Sequence, residues 1–170
     1  MRRQTRTLLG KARHDGPLRI QKPFYPEGDE VCHVVVLHPP GGVVAGDELL
    51  IRAQACSGAH GLVTTPSAGR IYRTDSSGCP QIQSVDIQVD DADFEWLPQE
   101  NIIFSGAAAE NRTTFRLSGA SRLIGWDITC LGRPAGSFPF EEGFLRQTLD
   151  IIVDGKPAYI ERGRYDGGSS

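Results

Sequence analysis

Cys32-His33-Val34-Val35-Val36-Leu37-His38-Pro39-Pro40-Gly41-Gly42-Val43-Val44-Ala45-Gly46-Asp47 reads as a strand running into a corner. Its first six residues place Cys32, Val34 and Val36 on one face and His33, Val35 and Leu37 on the other. Both faces are largely apolar, which predicts a strand covered on both sides. Pro39 and Pro40 cannot donate to a ladder and end it. Gly41, Gly42 and Gly46 then open backbone conformations closed to residues with a Cβ, and Asp47 is delivered at the end of the bend.

Outward from this stretch the pattern stays β. Glycine and proline, 20 and 11 of 170 residues, recur every few positions and leave little room for a long helix. Strand-like runs include Glu48–Ala53, Gly61–Thr65, Gln81–Val89, Phe94–Leu97, Thr113–Leu117, Arg122–Leu131 and Leu149–Val153. In Gln81–Val89, Val85, Ile87 and Val89 share one face while Asp86 and Gln88 take the other, so the strand is half-buried. Asp154-Gly155, between Ile151-Ile152-Val153 and Ala158-Tyr159-Ile160, suits a type I′ hairpin. Pro157 puts the returning arm at an edge or bulge. The expected fold is all-β, with stacked strands in a β-helix-like solenoid or a distorted sandwich and few or no helices. No fixed sequence period marks a solenoid.

The length fits one domain, 1–170. The basic stretch 1–14 (Arg2, Arg3, Arg6, Lys11, Arg13) and the Gly/Ser-rich tail 163–170 are expected to be flexible. A net charge of -3 argues against a nucleic-acid surface. Arg2-Arg3 resembles a twin-arginine signal, but Gly10-Lys11 interrupts the apolar run that should follow. No run is long enough to span a bilayer, and the cytoplasm is the expected compartment. Cys32, Cys56, Cys79 and Cys130 have wide, irregular spacings that argue against a disulfide framework; Cys32 and Cys130 read as small core hydrophobes, and Trp96 and Trp126 as core aromatics.

Enzyme chemistry finds little support. There is no Gly-x-Ser-x-Gly elbow, and Ser67 sits in an ordinary turn, with His38 or His60 as possible partners only in a weak hydrolase reading. Walker A and Gly-x-Gly-x-x-Gly sequences are absent. Cys32 and His38 share a strand face but lie about 20 Å apart at ~3.3 Å per residue, too far to close on one ion. The acidic residues are more suggestive. Asp127, Glu95 and Glu161 are set among apolar or aromatic neighbours, and a carboxylate so placed must find a donor, a cation or a proton. Either each pairs with an arginine such as Arg70, Arg73, Arg122 or Arg133, or some of them line a polar cavity able to hold a divalent ion loosely.

Five segments resemble the urease accessory protein UreD (UreH) family in its order and spacing: Gln21–Glu27, His38–Asp47, Thr64–Arg73, Glu95–Glu100 and Trp126–Pro134. The resemblance runs from about Leu9 to Arg162, with the family's outermost strands at both ends lacking a counterpart. It implies a non-enzymatic maturation factor that scaffolds nickel insertion. Urease apoprotein would bind on one side, and on the other UreF, which carries the GTPase UreG. No cofactor would be held tightly; Ni²⁺ would be in transit. Asp47, Asp127 and Glu161 are the implied lining of the nickel path, and His38, Gly41, Gly42, Gly46, Ser67, Gly69, Arg70, Tyr72 and Glu95 the implied cavity or partner residues. The alternative is an all-β module that binds a small polar ligand or a carbohydrate.

Overall fold

The computed structural model describes residues 6–168. Among these residues, thirteen strands and one 3-10 turn (Pro134–Gly136) make up the regular structure. Three complete rungs coil one above another. The first is β4 (His60–Thr64), β5 (Gly69–Ile71) and β6 (Gln81–Asp90); the second is β7 (Asp93–Trp96), β8 (Asn101–Ile103) and β9 (Ala107–Ser118). The third is β10 (Arg122–Gly125), β11 (Thr129–Leu131) and β12 (Gly143–Val153). A partial rung precedes them, made of β2 (Val31–Leu37), the lone bridge Val43↔Ile71 and β3 (Glu48–Ala55). Every rung-to-rung pairing is parallel. The fold is therefore a parallel β-solenoid, as the turn-rich all-β pattern allowed.

The missing sequence period has a geometric cause. Second corners of the three rungs take 9, 3 and 11 residues, over 72–80, 104–106 and 132–142. Ladder pairing constrains only the strands, so the corners drift and the repeat disappears from the sequence.

Inside the coil, two apolar clusters form. The larger joins the faces of β2–β4–β7 and β6–β9: Cys32, Val34 and Val63 meet Val85, Ile87, Phe94, Trp96 and Phe115. The smaller gathers Val43, Leu49, Ile71, Ile103, Ala107, Ala109 and Leu145 around the short-strand sheet. As expected, Val85, Ile87 and Val89 point inward, and Ile87 and Val89 are wholly buried. Val31 and Val35, on the opposite face of β2 from Cys32, are buried too.

The two ends differ. At the partial rung β1 (Arg19–Ile20) pairs antiparallel with β2, and Leu9, Leu18, Ile20 and Tyr25 pack against the larger cluster. Arg6, expected in a frayed terminus, lies over the Tyr25 ring at 4.7 Å and pairs with Asp29, and Thr7 Oγ1 accepts the His60 N–H. Arg2 and Arg3 lie outside the described residues. At the last rung β10 and β11 are sheet edges. Trp126 and Cys130 are consequently exposed instead of buried in a core, since β10 and β11 are the edges of their sheets among the described residues.

On the long sheet the chain reverses at Asp154-Gly155, both at positive φ (47° and 74°), as the hairpin reading expected. β13 (Lys156–Asp166) then pairs antiparallel with β12, with a register shift at Ile151/Ile152 opposite Pro157. Residues 163–166, read as part of a tail, are the end of this strand; Ser169 and Ser170 lie outside the described residues.

Ile87 sits between Ala53 and Phe115 in register, at the centre of the larger cluster. Replacing it with alanine is expected to lower unfolding free energy by about 2–5 kcal/mol through lost burial and a cavity. Urea unfolding of Ile87→Ala against the parent chain checks this.

Candidate functional site: a polar seam through the coil

The glycine corner forms one wall of a cavity of about 360 Å³. His38 and Gly41 face the loop Thr65–Arg70, and Gln83, Trp96 and Asn101 lie deeper. Each turn in the corner is closed locally. Gly41 N–H bonds His38 O at 2.9 Å. Asp47 caps its own bend: its Oδ2 accepts from Val44 N–H at 3.0 Å, while its N–H bonds Val44 O across Gly46 at φ +79°. Two glycines here answer to neighbours. A Cβ on Gly42 would lie 2.1 Å from the Tyr72 ring, and one on Gly69 would lie 2.2 Å from Asn101 Oδ1. His38 is half-buried; desolvation pushes its imidazole pKa down, and the Asp47 carboxylate partly offsets this.

From this mouth a polar seam runs between the two apolar clusters. Register explains it. Gln83 of β6, Asn111 of β9 and Gln147 of β12 are direct neighbours on the long sheet. Gly69, Asn101 and Thr129 are neighbours on the short-strand sheet opposite. Asn111 is 2% exposed, yet neither its Nδ2 nor its Oδ1 meets a protein partner, and the buried Thr129 Oγ1 has none either. An unmet buried polar group costs about 1–3 kcal/mol. Gln81, two residues before Gln83 and also fully buried, is satisfied: it donates to Tyr72 O at 2.8 Å and accepts from Ala108 N–H at 3.0 Å.

The polar side chains continue to the last rung. Asp127, in the corner between β10 and β11, receives the carboxamides of Gln147 and Asn101. Desolvation raises its pKa above the ordinary carboxylate value; the two amides oppose the shift, and the nearby Glu161 carboxylate adds to it. Glu161 pairs with Leu149, an inward residue, so it faces the mouth from β13, where Tyr159 donates its hydroxyl to it at 2.7 Å.

The structure thus brings Asp127 and Glu161 together at one end and sets Asp47 beside His38 at the other. Among the described residues, no three His, Cys, Asp or Glu side chains converge to hold a metal ion. Ser67, Gly69 and Arg70 line the first mouth. Tyr72 lies outside it, stacked on Phe104 at 5.2 Å beside a surface groove that also holds Arg73 and Phe138. Glu95 is on the outer face of β7, bonded to His60 Nε2 at 2.7 Å; its partner is a histidine, not one of the arginines considered for it. The seam amides were not among the expected site residues. Their signal was present: Gln81 and Gln83 share parity with Val85, Ile87 and Val89, so the inner face turns polar at one end of the strand.

Fold and seam define a class: a parallel β-solenoid whose distinctive chemistry lies inside its coil. A family model described as "UreD urease accessory protein" matches residues 1–170. Among curated proteins, "Urease accessory protein UreD" of Hahella chejuensis is 52% identical over 158 residues, covering 92% of this chain and 51% of that protein. The proteins of the same name from Pseudoalteromonas translucida and Klebsiella aerogenes are each 47% identical, over 94% and 92% of this chain and 54% and 57% of theirs. This chain belongs to the UreD family, and it spans about half the length of the curated relatives it matches.

Because the folded pKa of Asp127 is raised, folding favours its protonated form. The associated stability is present in acid and is lost as pH climbs from the ordinary carboxylate value, about 3.9, through the elevated one. Asp127→Asn should therefore be more stable than the parent chain at neutral pH, with the difference vanishing in acid. Urea melts across that range decide it; a constant difference would reject the buried-carboxyl account.

Proposed function

We propose that this chain serves urease maturation in the cytoplasm as a non-catalytic scaffold. It holds urease apoprotein on one side and UreF, with the GTPase UreG, on the other, and nickel passes through the interior of the coil between them. The observation that carries this reading is the set of polar side chains inside an otherwise apolar solenoid, with His38 and Asp47 beside the cavity at one end and Asp127 and Glu161 together at the other.

The donor chemistry suits transit. Carboxylates and imidazole accept a borderline divalent ion such as Ni²⁺, while thiolates would retain it more firmly. Ligands spaced along a path, with no three converging among the described residues, let the ion leave as readily as it arrives. Asp47 already accepts a backbone hydrogen bond, which leaves it a weak, partly occupied ligand at the first mouth. Backbone corners and glycines at the mouths supply shape, and the carboxylates supply charge.

The test is co-expression of this chain with UreF, UreG and the urease structural subunits. Asp127→Ala and Glu161→Ala are expected to preserve co-purification with UreF and to lower nickel per urease several-fold, read by metal analysis and urease activity. Normal nickel loading by both variants overturns the route; failure of the parent chain to bind UreF or urease apoprotein overturns the scaffold. A sugar-binding module would use exposed aromatics such as Trp126, although its ring N–H is held by Pro98 O at 2.8 Å. Tryptophan fluorescence is expected to stay unchanged on titration with simple sugars.

A further inference from the structure

The second corners of the rungs meet on the outside of the coil in an open groove of about 600 Å³, whose lining shares no residue with the first cavity. Tyr72 and Phe104 take the same place in successive rungs, each directly after its short strand, and their rings stack at 5.2 Å with a 31° tilt. The third rung has Gly132 at that place, and a Cβ on it would lie 2.6 Å from Phe138 O. Phe138 supplies the third ring from the long corner instead. It exchanges both backbone hydrogen bonds with Arg133, at 2.7 and 3.2 Å, and the Arg133 guanidinium lies over its ring at 5.2 Å. The Phe138 side is held out to solvent all the same: the residue is 57% exposed. The frame behind the rings is fixed before any ligand arrives. Tyr72 O accepts from the Gln81 amide at 2.8 Å, and Ser105 Oγ accepts the N–H groups of both Glu141 and Glu142, at 3.1 and 3.0 Å. Arg73 crosses Gly106, where a Cβ would lie 2.8 Å from its side chain, and pairs with Glu142 at 3.0 Å. Glu141, on the rim, is left with a carboxylate that meets no partner among the described residues.

We infer that this groove docks an extended, proline-containing segment of a partner protein, with a lysine or arginine of that segment set against Glu141. The chemistry of the groove selects this occupant. Strand addition needs free backbone donors, and here the N–H groups of Tyr72, Thr74, Phe104, Gly106 and Phe138 are all spent within the fold. A sugar needs several free polar side chains, and the two that could reach furthest, Arg73 and Ser105, already serve the frame. Proline asks for little beyond ring faces. It has no N–H to satisfy, and a polyproline II segment is already extended, so ordering it costs little entropy. Tilted rings at three heights form a trough for such a segment. The unanswered carboxylate supplies charge complementarity and sets the direction in which the segment lies. The groove is on the outside of the coil, and docking there does not depend on nickel transit.

The test is fluorescence anisotropy of a fluorescein-labelled PPLPPR peptide titrated with the full chain. Saturable binding is expected, and an AALAAR peptide is expected to bind far more weakly. Phe138→Ala is expected to weaken PPLPPR binding about tenfold or more, as loss of an aromatic anchor does. Glu141→Lys is expected to weaken it several-fold and to reverse the preference, so that PPLPPE then binds better than PPLPPR. Both side chains are exposed at corners, and thermal unfolding of both variants is expected to match the parent chain. Absence of binding by the parent chain overturns the inference, as does equal binding of AALAAR or indifference to Phe138→Ala. Unchanged preference in Glu141→Lys overturns the charge assignment. Two further outcomes would give the groove to another occupant and equally overturn the proposal. One is binding of maltohexaose with no binding of the peptide. The other is a dimer of the parent chain in sedimentation that Phe138→Ala abolishes.

Discussion

Parallel, in-register stacking makes each inward residue the neighbour of whatever sits at the same level one rung away. The whole interior follows from that constraint. An apolar level stays apolar, as Ala53, Ile87 and Phe115 do across three strands. An amide at an inward level must find partners, either backbone groups, as Gln81 does beside Ala109, or other polar side chains at its own level. The seam places three polar side chains, Gln83, Asn111 and Gln147, at one such level, with Leu49 of the smaller apolar cluster at the same level on β3.

The constraint also explains what could be read from the sequence. Strand alternation in Gln81–Val89, the proline-terminated Cys32–Leu37 strand and the Asp154-Gly155 reversal are local, and each is visible in the residues that make it. The rung repeat was hidden because corners of 3 to 11 residues separate strands that stack in register. Asp127 reads as mid-strand in Trp126–Leu131, but the chain bends there, and the carboxyl reaches inward from a corner to meet Asn101 and Gln147. Asn111 was the least legible: Asn111-Arg112-Thr113 is polar on its face, and only the neighbouring strands reveal that the asparagine points into the coil. Trp126 and Cys130 have core-like sequence surroundings and become exposed because their rung is the last.

Charge is distributed by the same architecture. Outward positions of the edge strand β3 carry Glu48, Arg52 and Gln54, which keep that edge hydrated. Inward charge lies at the ends, where Glu161 adds to the cost of ionising Asp127, Gln147 and Asn101 oppose that cost, and Tyr159 donates to Glu161. Such a pair is a liability for folding alone and an asset wherever a cation must be drawn to a defined place.

A parallel coil has no intrinsic stopping point, since the top of one rung offers the hydrogen-bonding groups that the bottom of the next requires. On the long sheet the reversal after Val153 changes this. β13 runs against β12 and becomes the outer strand of that sheet. Pro157 near its start cannot donate to a further ladder, and Arg162 and Arg164 charge the strand. One two-residue turn therefore converts the repeating coil, on this sheet, into a blunted edge that offers a poor template for a further strand.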